Sequence, residues 1–108
     1  MPYALKKLPQ AGAEGDEAAA WYEEKKPGLG FDLLDRVDEA IASIRENPFR
    51  YSLRFGDVRR APVRGFKFYG VYYFVERENV VIISVFNDRQ DPDRLRERRA
   101  QVNPLHGT

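Results

Sequence analysis

Cysteine is missing from this sequence. Disulfide scaffolds, thiolate zinc sites and thiol nucleophiles are excluded with it. Histidine is nearly missing too: the single one, His106, stands close to the C-terminus. A Ser-His-Asp triad and a His-rich metal site therefore lack their parts, and no metal or cofactor is expected. No apolar stretch approaches the roughly 18 residues that a membrane helix needs. The first residues show no apolar core of a secretory signal. The expectation is a cytoplasmic protein with no membrane partner. At 108 residues the chain has the length of one ordinary domain. It is expected to form one domain over 1–108, with a flexible tail from about residue 100 to 108.

An excess of charge of one sign is also lacking, since the net charge is +1. The distribution is uneven, however. Residues 14–46 hold ten acids and four bases, whereas residues 47–108 hold twelve bases and seven acids. All but one of those twelve bases are arginines, the exception being Lys67. A basic half of this kind binds phosphate backbones or an acidic protein partner, or else solvates a sheet surface and pairs locally.

The apolar periodicity changes along the chain. Residues 3–8 read as an edge strand ended by Pro9. Residues 9–15, rich in Gly, Ala and Pro, read as a loop. A helix is predicted from Asp16, capped by Asp16 or Gly15, with Ala18, Trp21 and Tyr22 on one face. Pro27-Gly28 stops it. A second helix is predicted over Phe31 to Glu46, with Leu33, Leu34, Val37, Ala40, Ile41 and Ile44 as its stripe and Asn47-Pro48 as its end. The two form an αα-hairpin.

Beyond residue 57 the period becomes 2. Strands are predicted over Val58 to Arg64, with Pro62 favouring an edge or bulge, and over Phe66 to Arg77. Gly65 makes the turn between them. A two-residue turn at Glu78-Asn79, with Asn79 at positive φ, leads into Val80 to Phe86. That continuous apolar run reads as a central strand covered on both faces. Asp93 to Arg99 reads as a short charged helix or tail. The order is β-α-α-β-β-β, and the predicted fold is α+β: two antiparallel helices on one face of a small, twisted, mainly antiparallel sheet. The helix–sheet core is expected to hold Trp21, Leu34, Val37, Ile41, Ile44, Phe68, Tyr72, Ile82 and Val85, with Leu33 marginal.

Two constellations carry chemistry. Trp21-Tyr22 before Pro27-Gly28-Leu29-Gly30 reads as two aromatics pinning a helix ahead of a sharp turn. The second set is Arg59, Arg60, Arg64, Lys67 and Arg89 among Phe66, Phe68, Tyr69, Tyr72 and Tyr73. Guanidinium groups for phosphate and rings for stacked bases suit RNA. The same residues equally suit strands whose arginines cover a sheet face. On a regular strand Arg60 and Arg64 share a face. Metal-free RNA cleavage needs a base, cations and an acid. Asp91 and Asp93 sit in turn and cap contexts, and Asn87 cannot serve as a general acid.

Several segments together resemble one family. Trp21-Tyr22-Glu23-Glu24-Lys25-Lys26-Pro27-Gly28-Leu29-Gly30 resembles the WYEE…PGLG signature of ParE-like toxins. Ile44-Arg45-Glu46-Asn47-Pro48 resembles the end of their second helix. Val58-Arg59-Arg60 and Phe66-Lys67-Phe68-Tyr69-Gly70-Val71-Tyr72-Tyr73 resemble their following strands, and Phe86-Asn87-Asp88-Arg89-Gln90-Asp91-Pro92 their ending. The resemblance spans about residues 3–99 and is to the RelE/ParE superfamily, which includes plasmid-stabilisation proteins.

It implies a bacterial type II toxin that inhibits growth and is neutralised by a cognate antitoxin, with contact to DNA only through that antitoxin. The ParE branch implies inhibition of DNA gyrase by binding, without a catalytic residue. The RelE branch implies ribosome-dependent mRNA cleavage, with Arg59, Arg60, Arg64, Lys67, Tyr69 and Arg89 at the phosphate. A third alternative is an orphan member that keeps only partner binding. The sequence departs from the RelE pattern: Asn87 stands for a histidine, Gln90 for a basic residue, Lys67 for a proline, and no tyrosine follows Tyr73. The expected surface for antitoxin or target is an apolar groove with Arg59, Arg60, Arg64, Tyr69, Tyr73 and Arg89.

Overall fold

A computed structural model describes residues 3–102. The element order is β1 (Ala4–Lys7), α1 (Pro9–Lys25), α2 (Leu29–Glu46), β2 (Leu53–Phe55), β3 (Val58–Pro62), β4 (Tyr69–Glu76), β5 (Asn79–Asn87) and α3 (Asp93–Gln101). The five strands form one sheet in the order β1-β5-β4-β3-β2. β1 runs parallel to β5, and the other neighbours are antiparallel. This is the α+β arrangement that the periodicity predicts, with a short edge strand, β2, that it misses. His106 and the end of the expected tail lie outside the described residues, while residues 100 and 101 belong to α3.

The predicted loop at 9–15 is the first part of α1. Proline suits the first turn of a helix because its missing N–H would be unpaired there anyway. Leu8, rather than Asp16 or Gly15, is the N-cap, and no side chain caps it. Ala11, Gly15, Ala18 and Ala19 are the buried stripe of α1, and these small residues let the helix lie close to α2 and β5. Trp21 falls outside that stripe and is 53% exposed, contrary to its predicted core place. Tyr22 alone pins the helix, with its ring edge-on to Phe66 and Tyr69.

The α1–α2 turn is built by Glu23. Its carboxylate accepts the N–H of Gly28 at 2.8 Å and of Gly30 at 2.9 Å. An acid from α1 thus caps the N-terminus of α2. Gly28 has a φ of 89°, a conformation that glycine adopts without steric cost. A Cβ on Gly30 would strike the Ala19 carbonyl oxygen of α1. The stripe of α2 is as predicted, except that Leu33 is fully buried and Leu34 only partly.

Ile82 and Val85 of β5 lie in the helix–sheet core as predicted, but in β4 the face against the helices is the other one. Val71, Tyr73, Val80, Ile82 and Val85 pack with Leu33, Val37, Ile41 and Ile44. Tyr72, Phe74, Val81, Ile83, Phe86 and Val58 form a second apolar cluster with Leu95 of α3. Phe68 and Tyr72 are therefore not in the helix–sheet core. Phe68 precedes β4 in a turn and is partly exposed. The second sheet face is covered by α3, so the helices lie on both faces. The β4–β5 turn is Arg77-Glu78, one residue earlier than predicted, and Arg77 rather than Asn79 has the positive φ, 59°. β3 ends at Pro62, opposite Gly70 and beyond its last pairing with β2, so its outer edge there does not require the N–H that proline lacks.

Candidate functional site

The six cations and tyrosines singled out in the sequence do not form one surface. Arg59 donates to the Tyr51 carbonyl at 2.7 Å and lies 5.2 Å from the centre of the Phe49 ring. Arg60 points to the opposite face, beside its register partner Tyr72. Its guanidinium crosses β4, pairs with Asp88 at 2.6 Å and donates to the Tyr69 carbonyl at 3.0 Å. Tyr72 donates to the other Asp88 oxygen. Only 10% of the Arg60 side chain is exposed, and its buried Nε finds no partner among the described residues. Glycine at position 70 makes the crossing possible, because a Cβ there would lie 2.8 Å from Arg60 Cγ and 2.9 Å from Cζ.

Arg64 does not share the face of Arg60, since the strand ends before it. It is 76% exposed, 3.7 Å from Glu39 of α2, and lines a groove of about 270 Å³ with Arg36, Ser43 and Tyr51. Tyr73 is fully buried, and its hydroxyl donates to the Pro48 carbonyl. It anchors the turn after α2 and presents no surface in the isolated chain. Lys67 and Arg89 both lie over the Phe68 ring, at 5.2 and 4.2 Å.

Tyr69 and Arg89 do meet in a groove. It has a volume of about 460 Å³ and lies between α1, the end of β5 and the start of α3. α1 contributes Glu14, Glu17, Trp21 and Tyr22, and α3 contributes Arg94. Val85, Asn87 and Gln90 also line it. The Trp21 ring stands edge-on to Tyr22 at 5.0 Å, so aromatic rings run from solvent to the sheet. Burial pushes the Tyr69 hydroxyl above its usual range, against a hydrogen bond from Asn87 and the charge of Arg89. Burial thus favours the protonated hydroxyl of Tyr69.

The floor of the groove has an open strand edge. β1 stops at Lys7, although Leu8 still donates to the Ile82 carbonyl. Beyond it, a bulge at Ile83 shifts the register of β5 on β4. Side chains replace the missing strand. Glu14 accepts the Val85 N–H at 3.2 Å and the Ser84 hydroxyl at 2.7 Å. Arg98 of α3 donates to the Ile83 carbonyl at 3.0 Å and pairs with Glu14 at 2.9 Å.

Trp21, Glu14, Glu17 and Arg94 were missed as site residues. Trp21 is legible once α1 starts at Pro9, because the stripe 11-15-18-19-22 then excludes position 21. Nothing in the sequence brings Arg94 beside it. Among the described residues, no group of three or more His, Asp and Glu side chains is placed to hold a metal ion. No helix among them is long and apolar enough to cross a membrane.

No curated protein matches the sequence. Among solved structures, a chain of the chromosomal ParDE toxin–antitoxin system from P. aeruginosa matches with a TM-score of 0.69. The match covers 79% of this chain and 95% of that chain at 13% identity, so the likeness is one of fold. The family model of the ParE toxin of the type II toxin–antitoxin system, parDE, matches residues 5–92. It takes in the hairpin with its Glu23 cap, the Arg60–Gly70–Asp88 crossing and all of the groove except Arg94, and the chain belongs to the ParE toxin family of type II toxin–antitoxin systems.

Proposed function

We propose that this toxin is neutralised by a cognate antitoxin seated in the groove between α1 and β5, and that it inhibits growth by binding DNA gyrase rather than by cleaving RNA. The observation that carries the first part is the groove itself. It joins half-exposed Trp21, Tyr22 and Tyr69 to the cations Arg89 and Arg94. Aromatic anchors beside arginine are the composition of protein-binding hot spots. A segment that fits would be acidic, carry apolar anchors, and fold on binding.

The gyrase reading is supported by membership of the ParE branch together with the state of the candidate catalytic residues. Arg60 is engaged by Asp88, Arg59 by a backbone carbonyl, and burial favours the protonated hydroxyl of Tyr69.

Two measurements test this. The first is binding kinetics with the product of the neighbouring reading frame. Trp21→Ala is expected to weaken binding by about 2 kcal/mol, mostly through faster dissociation. Arg89→Glu is expected to slow association and flatten its salt dependence. Unchanged rates in both variants would place the antitoxin elsewhere. The second is a gyrase supercoiling assay beside a ribosome–mRNA cleavage assay. Cleavage without gyrase inhibition would assign the RelE-type activity instead.

A further inference from the structure

α3 begins at Asp93, one residue beyond the matched family region. It is the element that lies over the second sheet face, on an apolar surface of Val58, Tyr72, Phe74, Val81, Ile83 and Phe86. Yet its own contribution to that cluster is one buried side chain, Leu95, with Val102 packed at its end. A single leucine is a small apolar contribution from nine ordered residues. The remaining attachment is made by arginines, through two ion pairs, a carbonyl and two aromatic rings.

Two carboxylates hold the helix. Arg98 pairs with Glu14 of α1 at 2.9 Å, and both side chains are largely buried. Arg99 makes a two-pronged contact with Asp57 of the β2–β3 turn, Nε to Oδ1 at 3.0 Å and Nη2 to Oδ2 at 2.9 Å. The same guanidinium lies 3.8 Å from the centre of the Phe74 ring, so its flat face covers the apolar surface. Arg96 lies over Phe55 in the same way, at 5.1 Å. In an ordinary amphipathic helix those places would be apolar.

We propose that α3 is an ionic latch, a cover held by Glu14 and Asp57 that opens as a unit while the sheet and the helical hairpin stay folded. Opening removes Arg98 from the Ile83 carbonyl and bares the outer edge of β5. It also takes Arg94 away from the groove, so the latch sets whether that groove has its second cation. Only this last consequence rests on the function proposed above. The latch itself concerns the chain alone.

The test is hydrogen–deuterium exchange of the full chain without any partner, at about 0.1 M and about 1 M sodium chloride. The screening length falls between these from about 10 Å to about 3 Å. Amides of residues 94–101 are expected to exchange about threefold faster at high salt, through the more exposed Arg99–Asp57 pair, since the buried Arg98–Glu14 pair is screened less. Amides of α2 and β4 should keep their rates. Glu14→Gln is expected to produce the same selective loosening at low salt. So is Asp57→Asn, whose site is half-exposed and whose substitution threatens the fold least. The proposal is overturned if exchange in 94–101 ignores both salt and substitution. It is equally overturned if α3 loosens only together with α2 and β4.

Discussion

Replacing Gly70 by alanine puts a methyl group where the Arg60 side chain crosses β4. The backbone accepts alanine, because Gly70 is not among the positive-φ glycines. The obstacle is Arg60, whose Cγ and Cζ would lie 2.8 and 2.9 Å from the new carbon, with Nε closer still. These atoms belong to the middle of the side chain, so the whole guanidinium must leave. Its ion pair with Asp88 and its bond to the Tyr69 carbonyl go with it. Removing one partner from a buried ion pair costs about 3–5 kcal/mol. Asp88 is one-third exposed and can turn to water, which brings the estimate to about 2–4 kcal/mol. Alanine returns about 0.4–1 kcal/mol by restricting the unfolded chain. The net loss expected in urea unfolding is about 1–3.5 kcal/mol. A double-mutant cycle isolates the cause. In an Arg60→Ala background, Gly70→Ala is expected to be neutral or stabilising. Additive losses in the cycle would refute the crossing as the reason for glycine at position 70.

Other outcomes follow from single contacts. Tyr73→Phe removes the hydroxyl that satisfies the buried Pro48 carbonyl; a loss of about 1–3 kcal/mol in thermal unfolding is expected, with antitoxin binding rates unchanged. Glu23→Gln weakens the acceptor that caps α2 through Gly28 and Gly30, and about 0.5–2 kcal/mol is the expected cost in a urea titration. Asp57 has its pKa lowered from 3.8, chiefly by the hydrogen bond from Arg99. Its stabilising contribution is therefore present above the unfolded value and lost as pH falls from 3.8 through the lowered folded value. Acid titration of stability should show a smaller fall for Asp57→Asn than for the parent chain over that window.

Much of this architecture was legible because it depends on local patterns. The stripe of α2, the alternation of β4 and the continuous apolar run of β5 each state their own burial period. The tight turn at Gly65 and the stop at Asn47-Pro48 follow from residue-specific backbone limits. The segments that resemble ParE toxins were also visible, and so was the sharp turn at Pro27-Gly28, but the partners of Glu23, Arg60 and Asp88 were not. Glu23 and Gly30 build a turn, and Arg60, Gly70 and Asp88 build a crossing. Residues read as a basic binding face thus hold the fold together, because a charge in sequence carries no record of its partner.

Contacts between segments far apart in the chain settled the rest. Which face of β4 meets the helices depends on how β4 sits between β3 and β5, and alternation alone is symmetric between the two faces. α1 begins at Pro9 because Ala11 and Gly15 find α2 and β5 beside them, where their small size is an advantage rather than a loop signal. Glu14 and Arg98, 84 residues apart, close a strand edge that exists only because β1 is shorter than β5. The groove brings Trp21 to Tyr69, Arg89 and Arg94 from four separate segments. Local patterns were enough for the family and for most elements, β2 and the first turns of α1 excepted. The site came from packing, since it lies where three elements end against each other.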